Sequence, residues 1–533
     1  MAQFDDLLLE VGEIGWYQLA VSVIIFLGWS GFGAFSMMIL MFIGIDPGWT
    51  CADRSYDNVT ANWNSSYSSH LTTESSAMNS TGQDVPVDTT DLCKECSSYD
   101  FKGEYSSIVT EWELVCNKAF ISDTITSVQM AGVLVGYLLF GQLSDMYGRK
   151  KAYFVAFTCG ISVGVAQAFT TSWIVFATCR FASGLFTGGT MVVGTVYGLE
   201  YLGPKYRHIL TTLGFWPTFS LVLLAMAYYI HDWHHLLLAT SIPGFAFIAA
   251  WWFLPESPRW LLSKGRFGEV SEIVKRIAKR NKKPQPDMAK FIMEYKIESS
   301  KVEQGVKYGF WDLFRTPTLT KQTLIFTTTW FSMSFIWYGI AFNVKNLPGN
   351  RFVNAAVNFA TGYFRPILLI FLLRWFGRKT IVIACYLTAA VVFIPIVVIY
   401  TLGKSDDLWI AITVLSTIGS TAVDTAWSVS GLIINETYPT SIRNIGMGLA
   451  SMCDAAGGIL SPQMAYFSTF WEPIPYVLSC ILALVCVLVN CFIDETKNKA
   501  MVDAVPDREW CLCFSRRKEN NYKLSDKECE SKL

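Results

Sequence analysis

The sequence predicts an all-α membrane protein with twelve transmembrane helices in two six-helix repeats, and three observations carry that prediction. Only 16% of the 533 residues are charged and 52% are hydrophobic, where a soluble globular chain carries about 25% charged residues. The charges gather in a few polar segments and leave apolar stretches between them, each near the ~20 residues that cross a bilayer. Three polar fragments also recur in order in the two halves of the chain. The same composition excludes other classes. Aromatics at 15% are too many for a disordered chain. No short alternating strands of an outer-membrane barrel are visible. A formal charge of −1 argues against nucleic acid as a partner.

Residues 1–17 form a short N-terminal segment. Its start, Met1-Ala-Gln-Phe-Asp-Asp6, lacks the basic head of a cleavable leader, so span one, Gln18–Ile45, is expected to be its own insertion signal. The first half (18–254) continues with spans at Asp123–Leu143, Ala152–Phe169, Trp173–Leu199, Ile209–Ile230 and Leu236–Leu254. A polar linker occupies 255–321. The second half (322–493) holds spans at Gln322–Phe342, Phe352–Leu373, Thr380–Leu402, Leu408–Ile434, Asn444–Phe467 and Pro475–Ile493, and residues 494–533 form a tail.

Orientation follows from charge, because Lys and Arg are retained in the cytoplasm. The loop 46–119 holds 4 Lys/Arg against 12 Asp/Glu, and the linker 255–321 holds 15 against 8. The linker and both termini are therefore expected in the cytoplasm and the loop outside. The short loop with Arg149, Lys150 and Lys151 agrees. The outer loop carries glycosylation acceptors at Asn58, Asn64 and Asn79, which points to a multi-pass protein of the plasma membrane. It also holds Cys51, Cys93, Cys96 and Cys116. An even count in an oxidising compartment predicts two disulfides, with three possible pairings. Zinc is the rival reading of Cys93-x-x-Cys96, but no matching His or Cys pair follows. No metal and no cofactor is expected. In the tail, Cys511 and Cys513 are palmitoylation candidates, and Ser531-Lys532-Leu533 reads as a peroxisomal address that the glycosylated loop outweighs.

The repeat is carried by the polar fragments. Gly148-Arg149-Lys150 after span two matches Gly377-Arg378-Lys379 after span eight, an offset of 229. Glu200 and Arg207 after span four match Glu436 and Arg443 after span ten, an offset of 236. Leu254-Pro-Glu256-Ser257 matches Ile493-Asp-Glu495-Thr496, an offset of 239. Parallel repeats of this kind describe secondary transporters that rock two halves about a midplane site. No phosphate-binding loop for ATP is present, and no nucleophile–base pair suggests an enzyme.

Several motifs resemble the major facilitator fold, and within it the organic cation, organic anion and carnitine transporter family. Gly141-Gln-Leu-Ser-Asp145-Met-Tyr-Gly148-Arg149-Lys150 is similar to the superfamily signature between spans two and three. Ser107-Ile-Val-Thr-Glu-Trp-Glu-Leu-Val-Cys116, Asn435-Glu-Thr-Tyr-Pro-Thr-Ser-Ile-Arg443 and the large cysteine-bearing first loop resemble the narrower family. The resemblance runs from about residue 4 to 497. It implies that Asp145, Arg149, Glu200, Arg207, Arg378, Glu436 and Arg443 latch the halves together on the cytoplasmic side. Ordinary loop charges, worth little at a wet surface, are the competing reading.

Ionisable residues deeper in the bilayer tell more, because each costs ~2.5–3.5 kcal/mol there even on the lenient insertion scale. Asp454 lies near the middle of span eleven, Asp424 in span ten and Arg365 in span eight. Arg365 pairing with either aspartate is one reading. In the other, Asp454 is the counter-charge for a cationic substrate, a position that the resemblance makes acidic in cation carriers. Ring faces add ~0.5–2 kcal/mol each to holding a cation. Trp330, Trp337 and Tyr338 in span seven, Trp216 in span five and Phe35 in span one are the candidates, with Trp427 in span ten beside them. The family often has Glu-x-Pro in span eight. Phe364-Arg365-Pro366 stands here instead, which favours a substrate that also carries a carboxylate. The expected function is a polyspecific facilitative carrier of organic cations by alternating access. Its rivals are a carrier of zwitterions such as carnitine, betaine or carcinine, with or without sodium coupling, and a non-transporting receptor. Its partners are the small substrate and the lipid bilayer.

Overall fold

The computed structural model describes residues 2–51, 105–203, 215–302, 309–439 and 442–497, together with 75–78, 84–87, 96, 98–101, 103 and 206. Two bundles of helices follow one another along the chain. In the first, spans one to six comprise Trp16–Ile43, Phe120–Tyr147, Arg149–Gln167, Trp173–Leu199, Trp216–Tyr229 and Trp233–Phe247. In the second, spans seven, nine, ten and twelve comprise Pro317–Asn343, Arg378–Thr401, Trp409–Thr437 and Ile474–Asn490. Span eight is broken into Arg351–Thr361 and Phe364–Trp375, and span eleven into Arg443–Leu460 and Pro462–Phe467. The helices of spans one, two and six to ten are long and apolar enough to cross a bilayer alone. Spans five and twelve are shorter apolar helices.

The loop between spans one and two adds a feature that the all-α reading lacks. Trp49–Cys51 pairs antiparallel with Tyr99–Phe101, and Ser75–Met78 with Asp84–Val87. Cys96 and Cys116 are disulfide-bonded. Cys93, Asn58, Asn64 and Asn79 lie outside the described residues.

Small residues let the helices of a half approach closely. Gly184 and Gly188 of span four face the backbone carbonyls of Gln129 and Val133 in span two, with no room for a Cβ. Arg180, one turn earlier, is 1% exposed and donates to Gln167 Oε1 at 3.3 Å.

The recurring fragments converge in space. Gly148 takes φ +110°, and a Cβ there would strike the Glu256 carboxylate. Glu256 Oε1 accepts from Lys150 N at 2.9 Å, which caps the start of span three. In the second half, Glu495 accepts from Arg378 N at 2.8 Å and Lys379 N at 3.1 Å, capping span nine. A carboxylate at a helix N-terminus meets both unpaired N–H groups and the positive end of the helix dipole. Burial pushes the Glu495 carboxyl up, but four backbone N–H donors outweigh it and hold the group below its usual range.

The linker is fastened to the first half. Its helix Phe267–Arg280 buries Val270, Ile273, Val274 and Ile277, the i, i+3, i+4, i+7 face of an amphipathic helix. The N-terminal helix Ala2–Val11 packs there with Phe4, Leu7, Leu8 and Val11. Arg259 pairs with Asp5, and Tyr201 donates to the Glu256 carbonyl at 2.8 Å.

Between the halves, span two lies against span eleven and span five against span eight. Polar contacts across this seam, among the described residues, are Lys345 Nζ to Asp123 Oδ1 (2.7 Å), Gln463 Nε2 to Ser127 Oγ (3.1 Å) and Tyr363 OH to Thr218 Oγ1 (2.8 Å). Four ring pairs, Phe42, Tyr105 and Tyr228 each with Phe352 and Phe120 with Tyr466, also cross it. Except for Tyr363–Thr218 in the middle of the helices, these contacts sit toward the end of the bundle where spans one and two are joined.

Candidate functional site

Span seven is a continuous helix from Pro317, started by Thr316, whose hydroxyl accepts from Leu319 N at 3.2 Å. Helical spacing carries Trp330, Trp337 and Tyr338 to the side that meets spans ten and eleven. Trp427 of span ten joins them into one aromatic wall. Its ring centroid lies 6.5 Å from Trp330, 6.2 Å from Trp337 and 6.4 Å from Tyr338. Trp337 and Tyr338 meet edge to face at 4.8 Å. Phe35 and Trp216 belong to the first half. Phe35 packs edge to face on Phe219 at 5.6 Å, and Trp216 packs against Gly33 of span one.

Span eleven brings Asp454 to this wall. Gly457 and Gly458, one turn on, lie against Phe331 O and beside Tyr338, so the two helices approach at backbone distance. Asp454 is 8% exposed. Its Oδ1 has no hydrogen-bond partner, and among the described residues no basic side chain pairs with it. Ser334 faces it, but the Ser334 hydroxyl is outside hydrogen-bonding geometry. Tyr338 and, from the first half, Tyr137 lie within electrostatic reach of the same carboxyl.

Of the two aspartates that Arg365 could pair with, it takes Asp424. It lies just past the break in span eight and pairs with Asp424, Nη1 to Oδ1 at 2.6 Å. Among the described residues, Asp454 is thereby left without a counter-ion. The Arg365–Asp424 pair is half-buried and ties span eight to span ten. Taken as ions, the three side chains sum to −1.

The charges that follow spans two, four, eight and ten cluster within halves. Arg149 pairs with Asp145, and its Nε lies 3.4 Å from Glu200 Oε1. Arg378 pairs with Glu436 at 2.8 Å, and Arg443 donates to the Tyr438 carbonyl at 3.3 Å. Burial pushes the Glu200 carboxyl above its usual range, and Arg149 opposes that shift. These pairs join neighbouring spans of one half and not the two halves to each other. Arg207 lies outside the described residues.

Sequence reasoning passed over Tyr137 and Ser334. Tyr137 carried a usable signal, since it supplies the one polar group between Gln129 and Gln142 in span two. Ser334 carried none, because span seven is rich in hydroxyls.

A sequence profile of the family described as "Sugar (and other) transporter" matches residues 58–504. The chain is 31% identical over 535 residues to the organic cation transporter protein of Drosophila melanogaster, covering 95% of this chain and 94% of that one. It is 33% identical over 406 residues to organic cation/carnitine transporter 2 of Homo sapiens, covering 75% and 71%. Among solved structures, the partially occluded inward-open xylose transporter XylE from E. coli superimposes with a TM-score of 0.62 at 15% identity, covering 91% of this chain and all of that one. The fold, the matched profile and these full-length relatives agree: the chain belongs to the major facilitator transporters, in the sugar (and other) transporter family and within it to the organic cation and carnitine transporter group.

Proposed function

We propose that the chain is a polyspecific facilitative carrier of organic cations in the plasma membrane, with Asp454 as the counter-charge. One observation carries this reading. Asp454 is buried at mid-depth beside an aromatic wall with no basic partner, while the nearby Arg365 is already paired with Asp424. A carboxylate ~4 Å from an ammonium contributes about 4 kcal/mol at an effective dielectric of 20, and rings such as Trp330, Trp337 and Tyr338 add to it. Phe35 and Trp216 supply the facing surface from the first half. The names of the relatives agree with this class of substrate. On this reading residues 1–17, 255–321 and 494–533 are cytoplasmic, and 46–119 is a glycosylated, disulfide-bonded outer loop. The clusters around Arg149 and Arg378 act as cytoplasmic gate elements.

A zwitterion carrier is the second reading, and Arg365 supports it. A substrate carboxylate that displaced Asp424 from Arg365 while its ammonium met Asp454 would use the same side chains. Uptake of labelled tetraethylammonium, carnitine and benzoate into surface-expressing cells separates the two. Entry of tetraethylammonium without carnitine supports the first, the reverse supports the second, and no uptake of either sinks both.

A further inference from the structure

The outer face carries a cavity that the mid-depth site does not use. Its volume is about 710 Å³, within the ~300–1,000 Å³ typical of small-molecule sites. Both halves line it: Trp49, Tyr105 and Asp123 on one side face Lys345, Arg351 and Tyr466 on the other.

Its charges are unequally satisfied. Asp123 is paired with Lys345 across the seam at 2.7 Å. Asp46 accepts from Gly48 N at 2.9 Å, and both it and Glu472 have further interactions. Arg351 differs. Its guanidinium lies over Tyr105 at 4.9 Å and Phe352 at 5.6 Å, and among the described residues no carboxylate pairs with it. Ring faces offset part of the cost of burying a cation, but they accept none of the in-plane N–H bonds that a guanidinium offers.

We propose that this cavity is a second ligand site, which takes an organic carboxylate with an apolar body from the extracellular side and thereby slows transport. The carboxylate matches the planar fork of Arg351. The apolar body matches Leu347, Tyr400 and Tyr466, which line the same space. Because both halves form the walls, the occupied cavity exists only while the outer ends are together. A ligand that binds one state of a two-state protein shifts the population toward that state. Occupancy therefore holds the carrier closed on the outside. This inference is independent of which substrate Asp454 receives.

Thermal unfolding of the purified full-length protein tests it, with benzoate, phenylacetate and hexanoate as probes and benzamide and phenylacetamide as uncharged controls. At least one carboxylate is expected to raise the melting temperature saturably, and the amides are not. Arg351→Gln should weaken the apparent affinity at least tenfold. Arg351→Lys, which keeps the charge and loses the fork, carries the same test if the Gln variant does not fold, with a smaller weakening expected. Asp454→Asn should leave the shift intact. The proposal is overturned if no carboxylate shifts the wild type, if the amides shift it equally, or if the Arg351 variants bind as well as wild type. Loss of the shift in Asp454→Asn also overturns it, since that moves the ligand to the mid-depth site.

Discussion

Arg365 Nη1 lies 2.6 Å from Asp424 Oδ1, and that single pair divides the work of the two deep aspartates. Asp424 neutralises a cation of its own half, whereas Asp454 faces the aromatic wall with an oxygen that no described residue bonds. Asp454→Asn is therefore expected to reduce organic-cation uptake at least tenfold with near-normal surface expression. Asp424→Asn should instead lower the amount of folded protein at the surface, and the double variant Asp424→Asn/Arg365→Gln should restore it. Surface biotinylation read beside uptake distinguishes the two. A mild Asp454→Asn with a severe transport defect in a well-expressed Asp424→Asn would reverse the assignment.

The ion pair between Lys345 and Asp123 closes the outer seam with side chains only 14% and 11% exposed. The pair joins the two halves, so if it acts as a latch, Lys345→Gln should increase the outward-open population. A cysteine placed at Tyr338 should then react faster with a membrane-impermeant thiol reagent added outside. The exchange Lys345→Asp/Asp123→Lys should return the rate toward that of the parent. An unchanged rate in Lys345→Gln would show that the pair is not a latch.

Glu495 makes stability depend on acid. Its carboxyl sits below the usual range in the folded protein, so its contribution is present above the unfolded value near 4.5 and is lost as pH falls through the lower, folded value. Glu495→Gln should destabilise the protein by about 1–3 kcal/mol at neutral pH. The melting temperature of the variant should also fall less steeply between neutral pH and pH 4 than that of the wild type. Parallel curves would mean that the cap titrates alike in both states.

The outer loop gives a test that needs no transport. Its disulfide-bonded Cys96 and Cys116 fit an oxidising compartment. Asn58, Asn64 and Asn79 are then expected to carry glycans, seen as a mobility shift on enzymatic deglycosylation that disappears in the triple Asn→Gln variant. Absence of any shift in protein expressed in animal cells would put the loop on the other side.

Much of the fold was legible because a bilayer imposes length and apolarity on each span separately. The seven long apolar helices satisfy that demand locally. The break in span eight was not legible, since Arg351–Trp375 is apolar across it. Gly362 sits at the break with Pro217 of span five pressed against it, a contact between residues 145 positions apart. The site shows the same division. Asp454, Asp424 and Arg365 stood out individually by their cost in lipid, but which acid Arg365 would take depends on how spans eight, ten and eleven pack. The recurring fragments were visible as repeats. That the first and third bind each other, Gly148-Arg149-Lys150 with Glu256 and Gly377-Arg378-Lys379 with Glu495, required the folded chain.

The fastening of the linker to the first half has a mechanical consequence. Helix Met288–Val302 belongs to the hydrophobic cluster of that half through Met288 and Phe291. The turn Phe310–Phe314 packs under spans seven and eleven of the other. The two fastened ends, Val302 on one half and Gly309 on the other, are seven residues apart in the chain. While both stay fastened they could separate by no more than about 25 Å, the reach of that many residues at full extension, and that length would set an upper bound on any stroke of one half against the other.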